Sequence, residues 1–529
     1  MFARLGRNIR PWQVDPPHPA ILRLHHTRAA SDTHAAPHLL NTPDIIAVAT
    51  MMAKPAGDFL KHPDSRGHLF CFCQRDPPLL FRPPPACPSR DEPSLVCRRA
   101  EAKRLNFAGR FCAKTLTRFQ PGPCQMTRQL SEAVFESGPF MSIDRRSQPV
   151  FPLTQLPHVA TTLGLSALIL IGLWPLTGND MASFLLPWFD HIVATGPVAS
   201  FSTPFSNYSP PYLYLLAAIT PFSAVVPAMT LIKLLSLLGT AALALAARHL
   251  LRLLGVTDAN RAAALVFALP TVALNTGLMG QCDAMWAAPC LMALAAALRR
   301  RHVAMLAWCG LALAFKVQAL LVAPFFLALL INRRVPIRLW PIMPLTTVIM
   351  MLPAWAAGWP AADLATVYLR QADTYDGLAL KAPNIWAILQ ELPLGGLPML
   401  GLALAAAIGA SVAYIARFST QPLTDRTIVS VALLATLLTT GLLPRMHERY
   451  FFLADVLALI MALVIRDRSS VRIAVLVQAG SILGIVNYIT GINAMAIIGA
   501  FAMIAATVQL ARPLLKPAAN DNPLIARTA

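Results

Sequence analysis

Long apolar segments recur from residue 158 onward, and they constrain the fold of this chain more than any other feature. Of its 529 residues, 56% are hydrophobic and only 13% are charged, which is too little charge for a water-soluble globular protein. A helix needs roughly 20 apolar residues to cross a bilayer. Twelve candidate membrane helices lie at residues 158–177, 227–247, 259–277, 283–298, 303–315, 317–331, 339–357, 398–416, 427–444, 450–465, 471–489 and 493–511. We therefore predict an all-α polytopic membrane protein of about twelve transmembrane helices, with long first and fourth outer loops.

The first 140 residues differ from the rest of the chain. They hold 18 of the 45 prolines and six of the nine cysteines, without any apolar run long enough to span a membrane. We predict a disordered extension over residues 1–140 and a transmembrane domain over residues 141–529. The cysteines lack the paired CxxC spacing of zinc sites, which argues against a metal knuckle. Met141 begins a short basic head before the first apolar segment, and it is an alternative start of the native protein.

Basic residues determine the predicted orientation. Arginines at residues 299–301 and 333–334 bracket the helix pair at residues 303–331, so both ends of the pair are expected on the cytoplasmic side. The turn near Lys316 then lies on the outer side, and an even number of helices puts both termini in the cytoplasm. Because membrane orientation accounts for most of the net charge of +19, no nucleic-acid partner is expected.

Polar side chains on the predicted outer face are the candidates for function. Basic groups at this face run against the positive-inside bias, and beside acids they favour a functional site. The candidates are Asp180, Asp190 and Tyr208 in the first outer loop, Gln281 and Asp283 in GQCDAMW, Lys316 and Gln318 in FKVQ, and Arg445, His447, Glu448 and Arg449 in RMHER. The alternative is salt bridges between helix ends, and for Lys316 in particular a structural role in pairing a nearby acid. Asp283 has a further alternative, since it fits an N-cap of the fourth helix.

These residue types predict a particular chemistry. A carboxylate at the membrane surface, such as Asp180, suits removal of a proton from an acceptor hydroxyl. Asp283 faces the same water layer, so the two acids are predicted to share an acceptor, and a divalent metal ion between them is left open. Arginine binds phosphate in a bidentate fashion, whereas lysine acts as a point charge. Asp455, inside the tenth helix, is expected to face the protein interior.

The first outer loop carries aromatic residues. Residues 184–192 are predicted to form a short interfacial helix, with Trp188 and Phe189 at headgroup depth. Pro210 and Pro211 predict the start of a second helix.

Several motifs, taken in order, resemble a known family. GND, PWFDHI and YSPPYLYLL in the first outer loop, followed by GQCDAMW, FKVQ and HERYFFLAD, resemble the GT-C superfamily of integral-membrane glycosyltransferases. Within it, the sequence is most similar to bacterial relatives of the mannosyltransferases of GPI-anchor assembly. The resemblance covers nearly all of residues 150–490. Leu453 replaces the family's usual proline and Asn207 stands where an acid is common, so subgroup and substrate stay open.

The resemblance implies both a reaction and roles for residues. It implies transfer of a sugar from a polyprenyl-phosphate donor to a lipid, glycan or protein acceptor, at the periplasmic side of a bacterial inner membrane. Asp180 would be the catalytic base, and Asp283 a helper or metal contact. Lys316 and the group at residues 445–449 would bind the donor phosphate or shape its pocket. The competing prediction is a lipid-linked saccharide flippase or other transporter, but the sequence shows no internal repeats of broken helices.

Overall fold

The protein is described by a computed structural model that covers residues 152–372, 377–394 and 397–516. The predicted extension at residues 1–140 lies outside the described residues. Helices α1 to α6 span Val159–Leu173, Leu186–Thr195, Pro210–Ile219, Ala228–Leu253, Ala259–Ala268 and Pro270–Ala273. Helices α7 to α12 span Asp283–Leu298, His302–Phe315, Ala323–Asn332, Ile342–Ala356, Ala361–Ala372 and Ile385–Leu389. Helices α13 to α17 span Met399–Phe418, Ile428–Leu442, Phe452–Ile465, Arg468–Thr490 and Asn493–Leu515.

Several helices are long and apolar enough to cross a membrane. Among the described residues there are five, and α5 with the helical segment Pro270–Met279 forms a bent pair, at 57°, that would make a sixth. Six further apolar helices have 10–17 residues. Each of the twelve predicted segments coincides with one of these helices or with the bent pair. The chain is therefore mostly helical and built as a membrane protein, while the number of crossings stays a prediction.

Helix α7 lies at the centre of the bundle and packs against α4 and α8. Most of its residues are buried, including Trp286. Helices α16 and α17 approach closely where Gly480 faces Gly499. A Cβ added at Gly480 would lie only 3.0 Å from the Gly499 carbonyl oxygen. Small residues that let backbones meet are typical of helix pairs in membranes.

Two π-helical turns shape the outer end of the bundle. One covers Met181–Leu185 directly before α2, and the other covers Leu274–Met279 after α6. Gly280 follows the second turn with φ of 62°, and a Cβ added there would lie 2.5 Å from Cε of Met181. The left-handed φ favours glycine here, and a side chain would have to displace the end of Met181. The two turns therefore lie against each other.

The first outer loop contains both predicted helices, and its aromatic residues are buried. Helices α2 and α3 are present, and α3 begins at Pro210 as predicted. Trp188 and Phe189 were predicted at headgroup depth, but the structure buries them at 6% and 1% exposure in a cluster with Tyr212 and Trp359. The loop therefore packs back onto the protein at this place, while the depth of the two side chains relative to a membrane stays a prediction.

The fourth outer loop pairs with the RMHER segment. Strand β1 (Ala379–Leu380) runs parallel to β2 (Met446–His447), with Leu380 opposite His447. The Arg445 backbone N–H also donates to the Leu378 carbonyl at 2.8 Å. This short pairing is a strand element within a fold predicted as all-α. It fixes the RMHER backbone beside the outer end of the bundle.

Candidate active site

The segment that carries Asp180 is held by a lysine that sequence reasoning did not select. Lys233, on α4, is fully buried, and its Nζ donates to the carbonyls of Trp174 at 2.6 Å and Leu176 at 2.5 Å. These carbonyls follow the end of α1, where helix geometry leaves acceptors without partners. The lysine therefore caps α1 just before the turn to Asp180.

Arg449 is the centre of the site. Its Nη2 lies 2.8 Å from Asp180 Oδ2, and its Nη1 lies 2.6 Å from Glu448 Oε1. Its Nε lies 3.7 Å from Asp283 Oδ2. The side chain is only 8% exposed. One planar guanidinium thus faces three carboxylates from three separate parts of the chain, a geometry that a lysine ammonium cannot reproduce.

Asp283 is fixed by several donors beneath Arg449. Lys316 Nζ at 2.7 Å and Trp286 Nε1 at 3.0 Å donate to its Oδ1, and Asn275 Nδ2 donates to its Oδ2 at 2.7 Å. The proposed N-cap role is wrong, since Cys282 holds the cap position and Asp283 begins the helix. Asp283 and Lys316 are each 1% exposed. They form the buried pair that the alternative interpretation of Lys316 described.

A metal ion between Asp180 and Asp283 does not fit this arrangement. Arg449 occupies the space between the two carboxylates, and the oxygens of Asp283 already accept from Lys316, Trp286 and Asn275. Within the described ranges, no group of three or more His, Cys, Asp and Glu side chains is arranged to hold a metal ion.

Gln281 and Tyr208 extend the network to the first outer loop. Gln281 Nε2 donates to Asp180 Oδ2 at 3.2 Å, and the Tyr208 hydroxyl donates to Gln281 Oε1 at 3.2 Å. Burial raises the pKa of Tyr208 above its usual range, and Lys316, 5.0 Å from the ring centroid, only partly offsets this. The phenol therefore stays protonated and serves as a donor.

Glu448 lies between Arg449 and His447 and contacts both side chains. Burial alone would raise the pKa of Glu448, but the Arg449 guanidinium and the His447 side chain outweigh it and lower that pKa to about 2. His447 Nδ1 lies 3.7 Å from Glu448 Oε2. Glu448 therefore stays ionised and helps to fix the orientation of Arg449.

A pocket opens beside Asp180. Its lining combines polar groups with an aromatic wall. The lining residues are Asp180, Phe184, Leu185, Trp188, Asn207, Tyr208, Gln281, Gln371, His447, Arg449 and Tyr450. Five of the predicted site residues thus meet at one place: Asp180, Tyr208, Gln281, His447 and Arg449. Asp283, Lys316 and Glu448 lie buried directly behind them.

The remaining predicted residues lie apart from the pocket lining. Asp190 is exposed on α2. Gln318 is buried beside Tyr450. Arg445 is half-buried, with φ of 58°, next to the strand pair. Asp455 is 3% exposed and lies within 3.4 Å of Gln478 Nε2, which confirms that it faces the protein interior.

Residues that the sequence did not indicate also contact the site. Tyr488, on α16, lies 3.1 Å from the Asp180 backbone nitrogen, and Gln371, on α11, lines the pocket. Asn275 donates to Asp283 from within the second π-helical turn. A single tyrosine or amide in an apolar helix carries no local signal of such a contact.

A comparison with protein families bears on this site. Residues 191–332 match the family model described as alpha-(1->6)-mannopyranosyltransferase, N-terminal domain. The match confirms the predicted resemblance to mannosyltransferases for that part of the chain. The matched region includes Tyr208, Gln281, Asp283 and Lys316. Asp180 lies before it and Arg449 after it. No curated protein matched the chain.

Proposed function

We propose that this protein is a membrane mannosyltransferase of the GT-C type that uses a polyprenyl-phosphate sugar as donor. The acceptor is a lipid, glycan or protein hydroxyl at the periplasmic side of a bacterial inner membrane. The observation that supports this most directly is the carboxylate of Asp180, which lines an open pocket while Arg449 and Gln281 hold one of its oxygens. A general base needs both access to its substrate and a fixed orientation.

The proposed reaction is a direct displacement. Asp180 accepts the proton of the acceptor hydroxyl, and the acceptor oxygen forms a bond to the anomeric carbon of the sugar. The bond between that carbon and the phosphate oxygen breaks, and the polyprenyl phosphate leaves with the electron pair. Attack from the face opposite the leaving group inverts the anomeric carbon.

Basic side chains in and beside the pocket would stabilise the departing phosphate. His447 and Arg449 line the pocket. Lys381 directly follows β1, and its backbone forms a bridge with His447. Arg449 is shared among three carboxylates, so its charge is largely balanced before the substrate binds. We therefore assign the phosphate contact to His447 and Lys381, with Arg449 completing it as negative charge moves from Asp180 to the leaving group.

The buried pair of Asp283 and Lys316 has a supporting role in this proposal. Neither side chain lines the pocket. Their 2.7 Å contact holds the Asp283 carboxylate, and Oδ2 of that carboxylate lies 3.7 Å from Arg449 Nε. Asp283 therefore orients Arg449 instead of touching the substrate, and Lys316 keeps the Asp283 carboxylate in place.

The test uses the full chain in proteoliposomes. Purified protein is given polyprenyl-phosphate mannose labelled in the sugar, together with an alkyl α-mannoside acceptor and membrane glycolipids. The proposal expects labelled mannoside or glycolipid from this donor and none from a nucleotide mannose. Product formed from the nucleotide sugar alone, or no product from either donor, would contradict it.

One observation favours the alternative function of a transporter. Helix α5 and the segment Pro270–Met279 form a broken span bent by 57°, and broken helices line the substrate sites of many transporters. The same proteoliposomes separate the two functions. A transporter moves the intact labelled lipid between leaflets, whereas the transferase breaks the sugar–phosphate bond.

A further inference from the structure

Tyr488 connects the C-terminal part of the bundle to Asp180. It lies near the end of α16, whereas Asp180 lies in the first outer loop. The Asp180 backbone N–H donates to the Tyr488 hydroxyl oxygen at 3.1 Å, and the same hydroxyl lies 3.5 Å from Asp180 Oδ1. Because the hydroxyl oxygen accepts from the backbone, its own proton is free to turn toward the carboxylate.

The two oxygens of Asp180 have different surroundings. Oδ2 accepts from Arg449 at 2.8 Å and from Gln281 at 3.2 Å. Oδ1 faces the longer 3.5 Å contact with Tyr488. A weak contact at that distance is easily exchanged for a closer partner. Oδ1 is therefore the oxygen best able to take a proton from an acceptor hydroxyl.

The neighbouring residues hold Tyr488 against this segment. A Cβ added at Gly178 would lie 3.1 Å from the Tyr488 hydroxyl oxygen, so glycine lets the phenol approach the backbone. Lys381 Nζ lies 5.7 Å from the centroid of the Tyr488 ring, within range of a cation–π contact. The phenol is thus confined between the loop that carries Asp180 and the fourth outer loop.

We propose that Tyr488 is a positioning residue that sets Asp180 Oδ1 toward the acceptor hydroxyl. This inference rests on the proposed role of Asp180 as the base. The hydrogen bond from the Asp180 backbone to the Tyr488 hydroxyl places the residue. Arg449 and Gln281 hold Oδ2, so Oδ1 is left toward the acceptor. Tyr488 itself takes up no proton in the reaction.

The test measures kcat and KM separately in the proteoliposome assay with polyprenyl-phosphate mannose. Tyr488→Phe should lower kcat by about 10- to 100-fold, because a displacement of about 1 Å at a base costs that much. KM for the donor should change by less than about threefold, since Asp180 does not hold the donor. Tyr414→Phe is the matched control: its buried hydroxyl donates to the Val431 carbonyl at 2.7 Å, away from the pocket. It should keep the wild-type kcat.

A second variant, at Gly178, disturbs the same contact between Tyr488 and the Asp180 segment. Gly178→Ala should push the phenol away and lower kcat in the same way, while the Tyr488 hydroxyl is retained. This variant keeps the inference testable if Tyr488→Phe does not fold. A wild-type kcat in either folded variant would overturn the inference. So would an equal loss in Tyr414→Phe.

A double variant separates this inference from the proposed base. In the background of Asp180→Asn, Tyr488→Phe should cause no further loss, because residues that act as a unit are not additive. A further tenfold loss would overturn the positioning role. An inactive Asp180→Asn with a fully active Tyr488→Phe would overturn this inference alone. A fully active Asp180→Asn would remove the proposed base as well.

Discussion

The guanidinium of Arg449 lies 2.8 Å from the carboxylate of Asp180, joining the first outer loop to the segment between α14 and α15. Both residues line the same pocket. The ion pair links two segments that lie far apart in the chain, and the region that matches the mannosyltransferase family model, residues 191–332, lies between them in sequence. The proposed base and an arginine that holds one of its oxygens are therefore neighbours within one cluster.

Arg449→Lys should inactivate the protein and destabilise it. Lysine keeps the positive charge but cannot face Asp180, Glu448 and Asp283 together, which leaves buried carboxylates unpaired. We expect a loss of about 3 kcal/mol in the free energy of unfolding and a fall in transfer of at least about 100-fold. Unfolding in detergent and the transfer assay measure the two effects. Unchanged values in both assays would contradict the role of Arg449 as the centre of the site.

Lys316 and Asp283 should behave as one unit in a double-mutant cycle. Lys316→Met leaves the Asp283 carboxylate buried without its cation, and Asp283→Asn leaves the lysine unpaired. Each single change should lower the free energy of unfolding by about 3–5 kcal/mol, and the double change should cost less than the sum. The half-buried pair of Arg261 and Asp258 is the control, and its changes should cost less than those at the fully buried pair. Additive losses at the buried pair would contradict the contact.

Acid should destabilise the protein through Glu448. Its pKa in the folded protein is lowered to about 2 from an ordinary value of 4.5. The ionised carboxylate therefore contributes its full stabilisation at pH values above about 4.5. That contribution should decrease as pH falls from about 4.5 to about 2. Glu448→Gln should reduce the loss of stability across this range, measured by denaturant unfolding at several pH values. Glu391→Gln, at an exposed residue, should keep the wild-type acid response. Identical acid responses in both variants would argue against the assignment.

Gly484→Ala should disturb the outer loop that supports the RMHER segment. A Cβ at this position would lie 2.7 Å from Pro383 Cδ and 3.4 Å from the Glu448 carbonyl oxygen. We expect a loss of about 1–3 kcal/mol in stability from this overpacking, together with reduced transfer. Gly409→Ala is the control, because nothing lies within 4 Å of its added Cβ. It should be neutral or slightly stabilising. Equal behaviour of the two variants would contradict the close packing of Pro383.

The helix positions could be predicted from sequence because apolar length reports directly on membrane helices. Asp180, Gln281 and Arg449 could also be selected, since polar groups at the outer ends of such helices are rare. Their mutual contacts could not, because distances between residues far apart in sequence depend on packing. The burial of Trp188 shows the same limit, since an aromatic residue at an interface and one in a core look alike in sequence.

Other features of the site had no sequence signal. Tyr488 and Lys233 are single polar residues in apolar helices, and their partners are backbone groups that any residue provides. The pairing of β1 with β2 covers only two residues on each side, too few for a strand pattern to appear. Lys316 could be predicted to pair with an acid, but only the folded structure shows that this acid is Asp283.

Substitution of the proposed base tests the central claim most directly. In proteoliposomes with polyprenyl-phosphate mannose, Asp180→Asn should lower kcat by about 100- to 10,000-fold, the usual contribution of a general base, while the donor still binds. Asp190→Asn changes an exposed acid on α2, outside the pocket, and should retain wild-type transfer. Wild-type transfer by Asp180→Asn would contradict the account.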